Sequence, residues 1–408
     1  MSARHCALKA LNTWEDTSIY ADEILSDLAK KFQLSSADRG LAQEIFYGTI
    51  RNLFLVDEII EQLRRGRIKP GTQNVLRIGL YQIFCSGIAN HAAVNETVNL
   101  ARPHEKGLVN AILRNALRRE ENFKSDITTW PLEDQFSHSR FLIERWEKQF
   151  GEKATRSLLK WNNTPPSVFA RINHLAANKE ALEKVELETE SYSLGKEYPH
   201  FFQVEGAPNT EWLHEGLIYI QDPSTSHSCR LLDPKPGEVV LDACAAPGGK
   251  TGYLAQLMRN EGEIVATDSS SQRLKKTREN LERLGASQVD IREVNWTQDS
   301  CLAKDRQFDA ILLDVPCTNS GVIRRRVDVR WRLQPDDFSR QAKLQSELLA
   351  RVSNYLKPNG RIVYSTCSID HEENEAVIES SGLQVEEVSR CLPWEDGFDG
   401  AFAALLRP

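Results

Sequence analysis

The chain has 408 residues, enough for two or three domains, and its 40% hydrophobic and 27% charged content is ordinary for a folded protein in water. A formal net charge of −7 excludes a uniformly basic nucleic-acid binder, so affinity for a polyanion has to come from local patches. The 8 cysteines (Cys6, Cys85, Cys229, Cys244, Cys301, Cys317, Cys367 and Cys391) form no Cys-x-x-Cys pair and have no paired His ligands, which argues against a structural metal or a disulfide framework and fits a reducing cytoplasm.

Met1 to Ala10 lacks a basic stretch followed by an apolar core and does not have the form of a secretory signal. The most apolar stretch, Ile78 to Val94, is interrupted by Gln82, Ser86, Asn90 and His91; it is too short and too polar to span a bilayer, so no membrane partner is expected. Up to about residue 120, apolar residues recur at three- and four-residue spacing, as in Leu41, Ile45, Phe46, Ile50 and in Val109, Ile112, Leu113, Ala116. This predicts a helical bundle, with an N-cap region at Ser35 to Asp38 and a break at Lys69-Pro70-Gly71. Residues 1–130 carry 17 Lys and Arg against 15 Asp and Glu, with the positives gathered at Arg64, Arg65, Arg67, Lys69 and at Arg114, Arg118, Arg119. Such clusters are either polyanion contacts or solvated helix faces.

Residues 131 to 205 mix helical spacing (Leu142, Trp146, Phe150; Leu158, Leu159) with a strand-like Val168 to Ile172 after the break at Asn163 to Pro166. Beyond residue 217 the pattern becomes α/β. Strands are predicted at Val239 to Asp242, Glu263 to Asp268, Asp290 to Val294, Ala310 to Asp314 and Ile362 to Ser365, with a late pair at Gln384 to Val388 and Ala401 to Leu406. Helical stretches such as Ser271 to Leu284 and Asp336 to Leu356 separate the earlier ones. Alternation of this kind predicts a mostly parallel, doubly wound sheet that binds ligands at the carboxyl ends of its strands. The expected organisation is a helical domain over residues 1–130, a small α+β region over 131–215 and a Rossmann-like α/β domain over 216–408.

The chemistry-bearing residues sit at those strand ends. Asp242 to Thr251 contains Cys244-Ala245-Ala246-Pro247-Gly248-Gly249-Lys250, a glycine turn between a strand and a helix. Paired glycines let the backbone turn tightly and approach a ligand, and the helix N-terminus favours its polar groups. The spacing is neither Gly-x-Gly-x-x-Gly nor a phosphate-binding Gly-x-x-x-x-Gly-Lys-Ser/Thr, which favours a cofactor smaller than a dinucleotide or triphosphate; the bland reading is an ordinary strand–helix turn. Asp268 closes the next strand, where an acid accepts from ribose hydroxyls or simply ends the strand. Asn295 closes the third and either meets an adenine edge or makes a turn.

Two further strands end in thiols, in Asp314-Val315-Pro316-Cys317 and in Ser365-Thr366-Cys367-Ser368. A cysteine in an apolar setting is usually core. Here the Asp-x-Pro context and the surrounding hydroxyls, with Lys250 expected nearby, point to a reactive thiolate and to covalent addition to an electron-poor ring. Asp314 could accept from, or protonate, a ring nitrogen and its exocyclic amine. Arg324, Arg325, Arg326, Arg330 and Arg332 around Trp331 suit phosphate contacts and base stacking, or form a solvated loop.

Leu241 to Thr251, Asp314 to Cys317 and Tyr364 to Ile369 closely resemble the Sun/Fmu family of RNA (cytosine-5)-methyltransferases. Arg77 to Ile83, Ala93 to Val98 and Leu108 to Arg114 resemble the NusB-like helical domain carried by its bacterial branch, and Asn163 to Asn173 and Gln221 to Ser224 resemble the family's linking segments. The resemblance covers nearly the whole chain. It implies an enzyme that methylates C5 of a cytosine in 16S rRNA with S-adenosylmethionine; a cytoplasmic, monomeric protein without a metal is expected. By the family pattern Cys244, Ala245, Ala246, Pro247, Gly248, Gly249, Lys250, Asp268, Asn295 and Asp314 contact the cofactor. Cys367 would be the nucleophile, Cys317 would assist product release, and Asp314 would also contact the base. Asn295 stands where the family usually has Asp, Thr318 to Gly321 departs from its commoner Ser/Thr-Gly/Ala-Thr-Gly, and Asp396 to Gly400 is a variant of its Asp-Gly-Phe-Phe. Other expectations are a cytosine methyltransferase acting on tRNA or large-subunit rRNA, and a non-catalytic RNA-binding or antitermination-type protein.

Overall fold

The structure is a computed structural model that describes residues 2–64, 66–298, 302–303 and 306–408. Arg65 of the first basic cluster and Cys301 lie outside the described residues. The chain divides into two compact units, Met1–Thr164 with Ile323–Leu333, and Pro165–Val322 with Gln334–Pro408.

The second unit holds two sheets. β1 (Val168–Ile172), β2 (Phe201–Val204) and β3 (Ile218–Ile220) form a small antiparallel sheet in the order β2-β1-β3. β4 (Val239–Asp242), β5 (Glu263–Asp268), β6 (Val289–Glu293), β7 (Phe308–Asp314), β8 (Leu356–Thr366), β9 (Gln384–Cys391) and β10 (Ala401–Arg407) form, among the described residues, a seven-stranded sheet in the order β6-β5-β4-β7-β8-β10-β9. The first five neighbours in that order are parallel, and β10 runs antiparallel to both β8 and β9. The late strand pair expected from the sequence therefore closes the sheet as an antiparallel edge.

Alternation along the central strands explains their continuous apolar runs. Leu241, Val265, Ile311, Leu313, Ile362 and Tyr364 pack into one core, while Val240, Ile264, Ala310, Leu312 and Val363 pack into another. Side chains on a strand alternate faces, so a strand buried on both sides must be apolar throughout. The chain runs β4-β5-β6 toward one edge, then returns to place β7 on the other side of β4. Such a reversal opens a crevice at the carboxyl ends of β4 and β7, where loops can part around a ligand.

The first unit is helical, with helices at Ala3–Asp16, Ser36–Arg51, Leu53–Leu63, Pro70–Phe84, Asn90–Leu100 and Lys106–Arg118 among others. Ser35 caps the second of these, its hydroxyl accepting from the Asp38 amide at 3.1 Å. Val75, Leu76, Leu80, Val94, Val109 and Leu113, at helical spacing, are buried together. No helix among the described residues is long and apolar enough to cross a membrane.

Ile323–Leu333 departs from the sequence reading. Arg330 is fully buried and donates to the carbonyls of Arg51 (3.2 Å), Ser137 (3.3 Å) and Asn162 (2.9 Å) and to Asn163 Oδ1 (2.6 Å). Arg324 stacks over the Trp161 ring at 4.0 Å, and the Trp331 indole donates to the Ile50 carbonyl at 3.0 Å. Arg332 donates to the Ile19 carbonyl at 2.6 Å, and within the segment Arg326 is exposed. Four backbone and amide acceptors make a site that only a guanidinium, with five donors in one plane, can satisfy. The segment is thus a structural strut of the helical unit, with Arg324, Arg330 and Arg332 held by protein groups. Arg330→Met should leave those acceptors without donors and cost about 3 kcal/mol or more. A change below about 0.5 kcal/mol in denaturant unfolding of the full chain, as for a surface site, would contradict the assignment.

Candidate active site

At the end of β4 the chain turns through Ala243–Gly248 into the helix Gly249–Leu257. The Ala246–Pro247 peptide is cis, and Gly248 has φ +96°, a left-handed conformation that suits glycine. A Cβ at Gly249 would come within 2.8 Å of the Tyr219 ring, so the close approach that demands glycine there is made by a protein side chain. Asp242, 1% exposed, accepts from Thr251 Oγ1 at 2.7 Å through one oxygen, while its Oδ1 has no hydrogen-bond partner. Burial pushes this carboxyl up to about 7, and the Asp314 charge adds to the rise. Burial likewise pushes up the Cys244 thiol, which makes it a packing group and a poor thiolate.

Asp268 closes β5 almost fully buried; one oxygen accepts from the Ser270 amide at 3.0 Å and the other lies 3.4 Å from the Arg273 guanidinium. Asn295 is exposed, and its Oδ1 accepts from the Thr297 amide (3.1 Å) and hydroxyl (2.8 Å), which makes it a turn residue. Its neighbour Trp296 points inward instead, donating to the Ala243 carbonyl and to Thr267 Oγ1, both at 2.9 Å.

The remaining groups converge at the ends of β7 and β8. Asp314 pairs in register with Ser365, so both strands end at one level. Ser365 Oγ donates to Asp314 Oδ1 at 2.8 Å, and the Lys250 ammonium makes an ion pair with the same carboxylate. Burial opposes the lysine's charge, but Asp314 more than offsets this, with the Cys229 and Cys367 sulfurs adding, and Lys250 holds its proton more tightly than usual. Cys317 Sγ and Cys367 Sγ lie 3.1 Å apart. The bond to Cys367, then burial, then the charges of Cys367 and Glu373 push the Cys317 thiol well up, and Cys367 Sγ also donates to Asn319 Oδ1 at 3.2 Å.

The two loops are joined through Thr318 to Gly321, the tail motif and two acids, Asp370 and Glu373, that the sequence did not single out. Gly321 N–H donates to the Cys367 carbonyl (3.0 Å) and Gly400 N–H to the Gly321 carbonyl (2.8 Å); a Cβ at Gly321 would lie 2.6 Å from the Cys367 oxygen. The variant tail motif thus closes against the thiol loops. Ser320 Oγ donates to Asp370 at 2.5 Å, and Thr318 donates to Glu373 through its amide (2.9 and 3.0 Å) and its hydroxyl (2.8 Å). In the sequence Glu372-Glu373-Asn374-Glu375 reads as a solvated acidic run, and no local signal marks Glu373 as fully buried. A narrow cavity of ≈ 50 Å³ lies beside Cys367, lined by Ser224, Thr225, Lys250, Ser365 and Asp399 among others. A larger one of ≈ 740 Å³ is lined by Arg361 and Arg407, which are already paired with Glu238 and Glu386, and by none of the groups above. Among the described residues no cluster of His, Cys, Asp and Glu could hold a metal ion.

Burial pushes the Glu373 carboxyl from its ordinary 4.5 to about 7, against the pull of the Thr318 bonds and with the Asp370 charge adding to the rise. Between those values the folded state holds more protons than the unfolded chain, so this group lowers stability as pH rises through the window. Glu373→Gln removes that contribution. From pH 5 to pH 8 its unfolding free energy should fall less than that of the parent protein, by about 1–3 kcal/mol. Equal falls in parallel denaturant titrations would refute the buried, proton-holding state.

The chain matches the NusB family over residues 1–118, a ferredoxin-like domain of RsmF/B-like methyltransferases over 138–200, and 16S rRNA methyltransferase RsmB/F over 229–403. It is 33% identical over 391 residues to the probable ribosomal RNA small subunit methyltransferase B of Bacillus subtilis (strain 168), covering 92% of this chain and 87% of that one. To ribosomal RNA small subunit methyltransferase B of Proteus mirabilis (strain HI4320) it is 33% identical over 425 residues, covering 99% and 98%. Among solved structures, PH0851 shares the fold over 100% of this chain and 99% of that one, with a TM-score of 0.76 at 24% identity. A methyltransferase homolog protein from Pyrococcus horikoshii, 31% identical, matches with a TM-score of 0.58 over 68% of this chain and 98% of its own. Similarity of this extent, running through the helical, ferredoxin-like and α/β parts alike, means that the chain belongs to the Sun/RsmB-F family of ribosomal RNA small subunit methyltransferases.

Proposed function

We propose that this protein transfers a methyl group from S-adenosylmethionine to C5 of a cytosine in 16S rRNA through a transient adduct between Cys367 and C6. The observation that carries this reading is the pair of thiols 3.1 Å apart, beside a carboxylate held by Lys250 and Ser365. Cytosine C5 is a poor nucleophile. When the Cys367 Sγ–C6 bond forms, the C5–C6 π pair moves to C5 and makes it an enamine carbon. Asp314, positioned by its two partners, hydrogen-bonds the N3–N4 edge and favours a proton on N3, help worth roughly 10²–10⁴-fold. S-adenosylmethionine supplies the electrophilic methyl. Afterwards the C5 proton leaves to solvent, N3 gives up its proton, the C5–C6 double bond re-forms and Sγ departs as a thiolate. Cys317, as the protonated thiol, donates a hydrogen bond to that departing sulfur.

The residues at the β4 turn fit such a cofactor. Asp242 Oδ1 is a buried acceptor without a partner, the Gly248 turn presents backbone, and Asp268 offers a carboxylate at the adjacent strand end. We assign cofactor contacts to Asp242, the Cys244 to Lys250 turn, Asp268 and Asp314. Asn295 is left out of that set, because its oxygen already serves a turn. The target base must leave its stack, at a cost of a few kcal/mol. We assign the offsetting RNA contacts to the helical unit, where Arg64, Arg67, Lys69, Arg114 and Arg118 are exposed and Arg119 reaches the Gln62 carbonyl at 3.5 Å, bringing the two clusters together. Residues from 216 onward carry the chemistry.

Two measurements test the reading. Cys367→Ala should form no adduct and transfer no methyl group, whereas Cys317→Ala should methylate but release slowly, so that a protein–RNA species carrying the cofactor's methyl label survives a denaturing gel. Full activity in both variants would end the covalent mechanism, and bisulfite mapping of 16S rRNA, large-subunit rRNA and tRNA from cells lacking the protein identifies the substrate. For RNA affinity, replacing Arg64, Arg67 and Lys69 by Ala should flatten the dependence of log K on log salt by about 0.7–0.9 per lost phosphate contact. An unchanged slope would make these side chains merely solvated.

A further inference from the structure

The peptide group that joins Cys317 to Thr318 is held at both ends. Its carbonyl, on Cys317, accepts from Asn319 Nδ2 at 3.0 Å. Its N–H, on Thr318, donates to both oxygens of Glu373, at 2.9 and 3.0 Å, and the Thr318 hydroxyl adds a third bond at 2.8 Å. Asn319 itself has φ +60°, a left-handed conformation that asparagine tolerates better than most side chains. Fixing that peptide plane fixes the backbone on the C-terminal side of Cys317, and with it the direction in which the thiol leaves the main chain. The thiol then meets Cys367 Sγ at 3.1 Å.

Glu373 belongs to the other loop. It follows Cys367 on the chain, and its own carbonyl accepts from the buried Tyr364 hydroxyl. Asn374 beside it is tied to Thr366 Oγ1 at 2.6 Å and to the Ser368 carbonyl at 2.9 Å. The carboxylate is therefore anchored to the β8 end that carries the nucleophile, while it grips the residue next to the second thiol. A fully buried carboxylate is costly, and the bonds it accepts offset that cost only where they are well made. Nothing in the packing of the loop requires an acid there, since a neutral acceptor of the same shape would bind the same amide.

We propose that Glu373 is a positioning residue for product release: it holds the Cys317 thiol against the Cys367 sulfur, so that a hydrogen bond is ready when that sulfur leaves C6. The proposal rests on the covalent reading above and adds to it the group that aligns the leaving-sulfur partner. Addition and methyl transfer need Cys367, Asp314 and Lys250, whereas the groups that hydrogen-bond Glu373 are the Thr318 amide and hydroxyl and the Ser368 side chain. Elimination needs the thiol–thiol contact, which Glu373 sets through the Thr318 amide.

The experiment compares Glu373→Ala, Glu373→Gln, Cys317→Ala and the parent protein, all as full chains, with an RNA substrate and methyl-labelled cofactor. Single-turnover methyl transfer and the lifetime of the labelled protein–RNA adduct are read separately. Glu373→Ala should transfer the methyl group within about threefold of the parent rate, yet keep its adduct at least tenfold longer, as Cys317→Ala does. Glu373→Gln, whose amide oxygen still accepts from Thr318, should return the adduct lifetime to within threefold of the parent. Thermal unfolding and calorimetric cofactor binding certify each variant as folded, and Glu373→Gln carries the test if the alanine variant does not fold: a lifetime tenfold longer in the glutamine variant would overturn the proposal. A normal adduct lifetime in folded Glu373→Ala, or loss of methyl transfer itself, would overturn it too. If Cys317→Ala traps no adduct, the covalent reading fails first, and that result is visible without any Glu373 variant.

Discussion

The register between β7 and β8 is the constraint on which the site depends. Asp314 faces Ser365 across a parallel pair, so the two strands deliver their last residues at the same level. Three residues later on one strand and two on the other, a thiol emerges, and the two sulfurs meet at 3.1 Å. A slip of one residue would turn every side chain of one strand to the opposite face of the sheet. The register cannot slip cheaply, because Ile311, Leu313, Ile362 and Tyr364 fill one core while Leu312 and Val363 fill the other. Each such side chain is worth roughly 1.5–3 kcal/mol when buried. The apolar sheet thus supplies the precision that the polar site requires.

What the sheet cannot supply is the difference between the two thiols. Both are half-buried cysteines just past a strand, and sheet geometry treats them alike. The asymmetry comes from what surrounds each thiol. Lys250 lies on the side of Cys367 and Asp314, while the buried Glu373 lies on the side of Cys317. The bond to Cys367, burial and the neighbouring charges together favour a retained proton on Cys317. Division of labour between two like groups through unlike surroundings is how paired titratable residues separate into donor and acceptor.

The strands and thiol motifs were legible because they follow from short-range rules. Buried parallel strands must be apolar on both faces, and turns at their ends show as Gly, Pro and Asp. Asp242, Lys250, Asp314, Cys317 and Cys367 could therefore be placed at strand ends, although their distances could not. The buried charges were not legible. Arg330 sits in a run of arginines that looks like a phosphate-binding loop, and Glu373 in a run of acids that looks solvated. Each is fully buried because partners far away in sequence, or on the other thiol loop, present matching acceptors or donors. At Asn295 the structure adds what the sequence did not show, a turn in which the Thr297 amide and hydroxyl bond its oxygen.

Both buried charges act by a logic that composition hides. A lone buried ion is expensive, and it persists only where hydrogen bonds to its neighbours offset the cost. That requirement makes such a residue a specific joint: it accepts one arrangement of its neighbours and penalises the others. Arg330 joins Ile323–Leu333 to carbonyls and an amide from three other segments of the helical unit, and Glu373 joins the two thiol loops. An apolar residue in either place could fill the volume, but it would leave the neighbouring donors and acceptors free to rearrange. In the helical unit the result is a segment fixed against the bundle. At the end of the sheet it is a peptide plane fixed beside a thiol, where a few tenths of an ångström decide whether one sulfur can hydrogen-bond another.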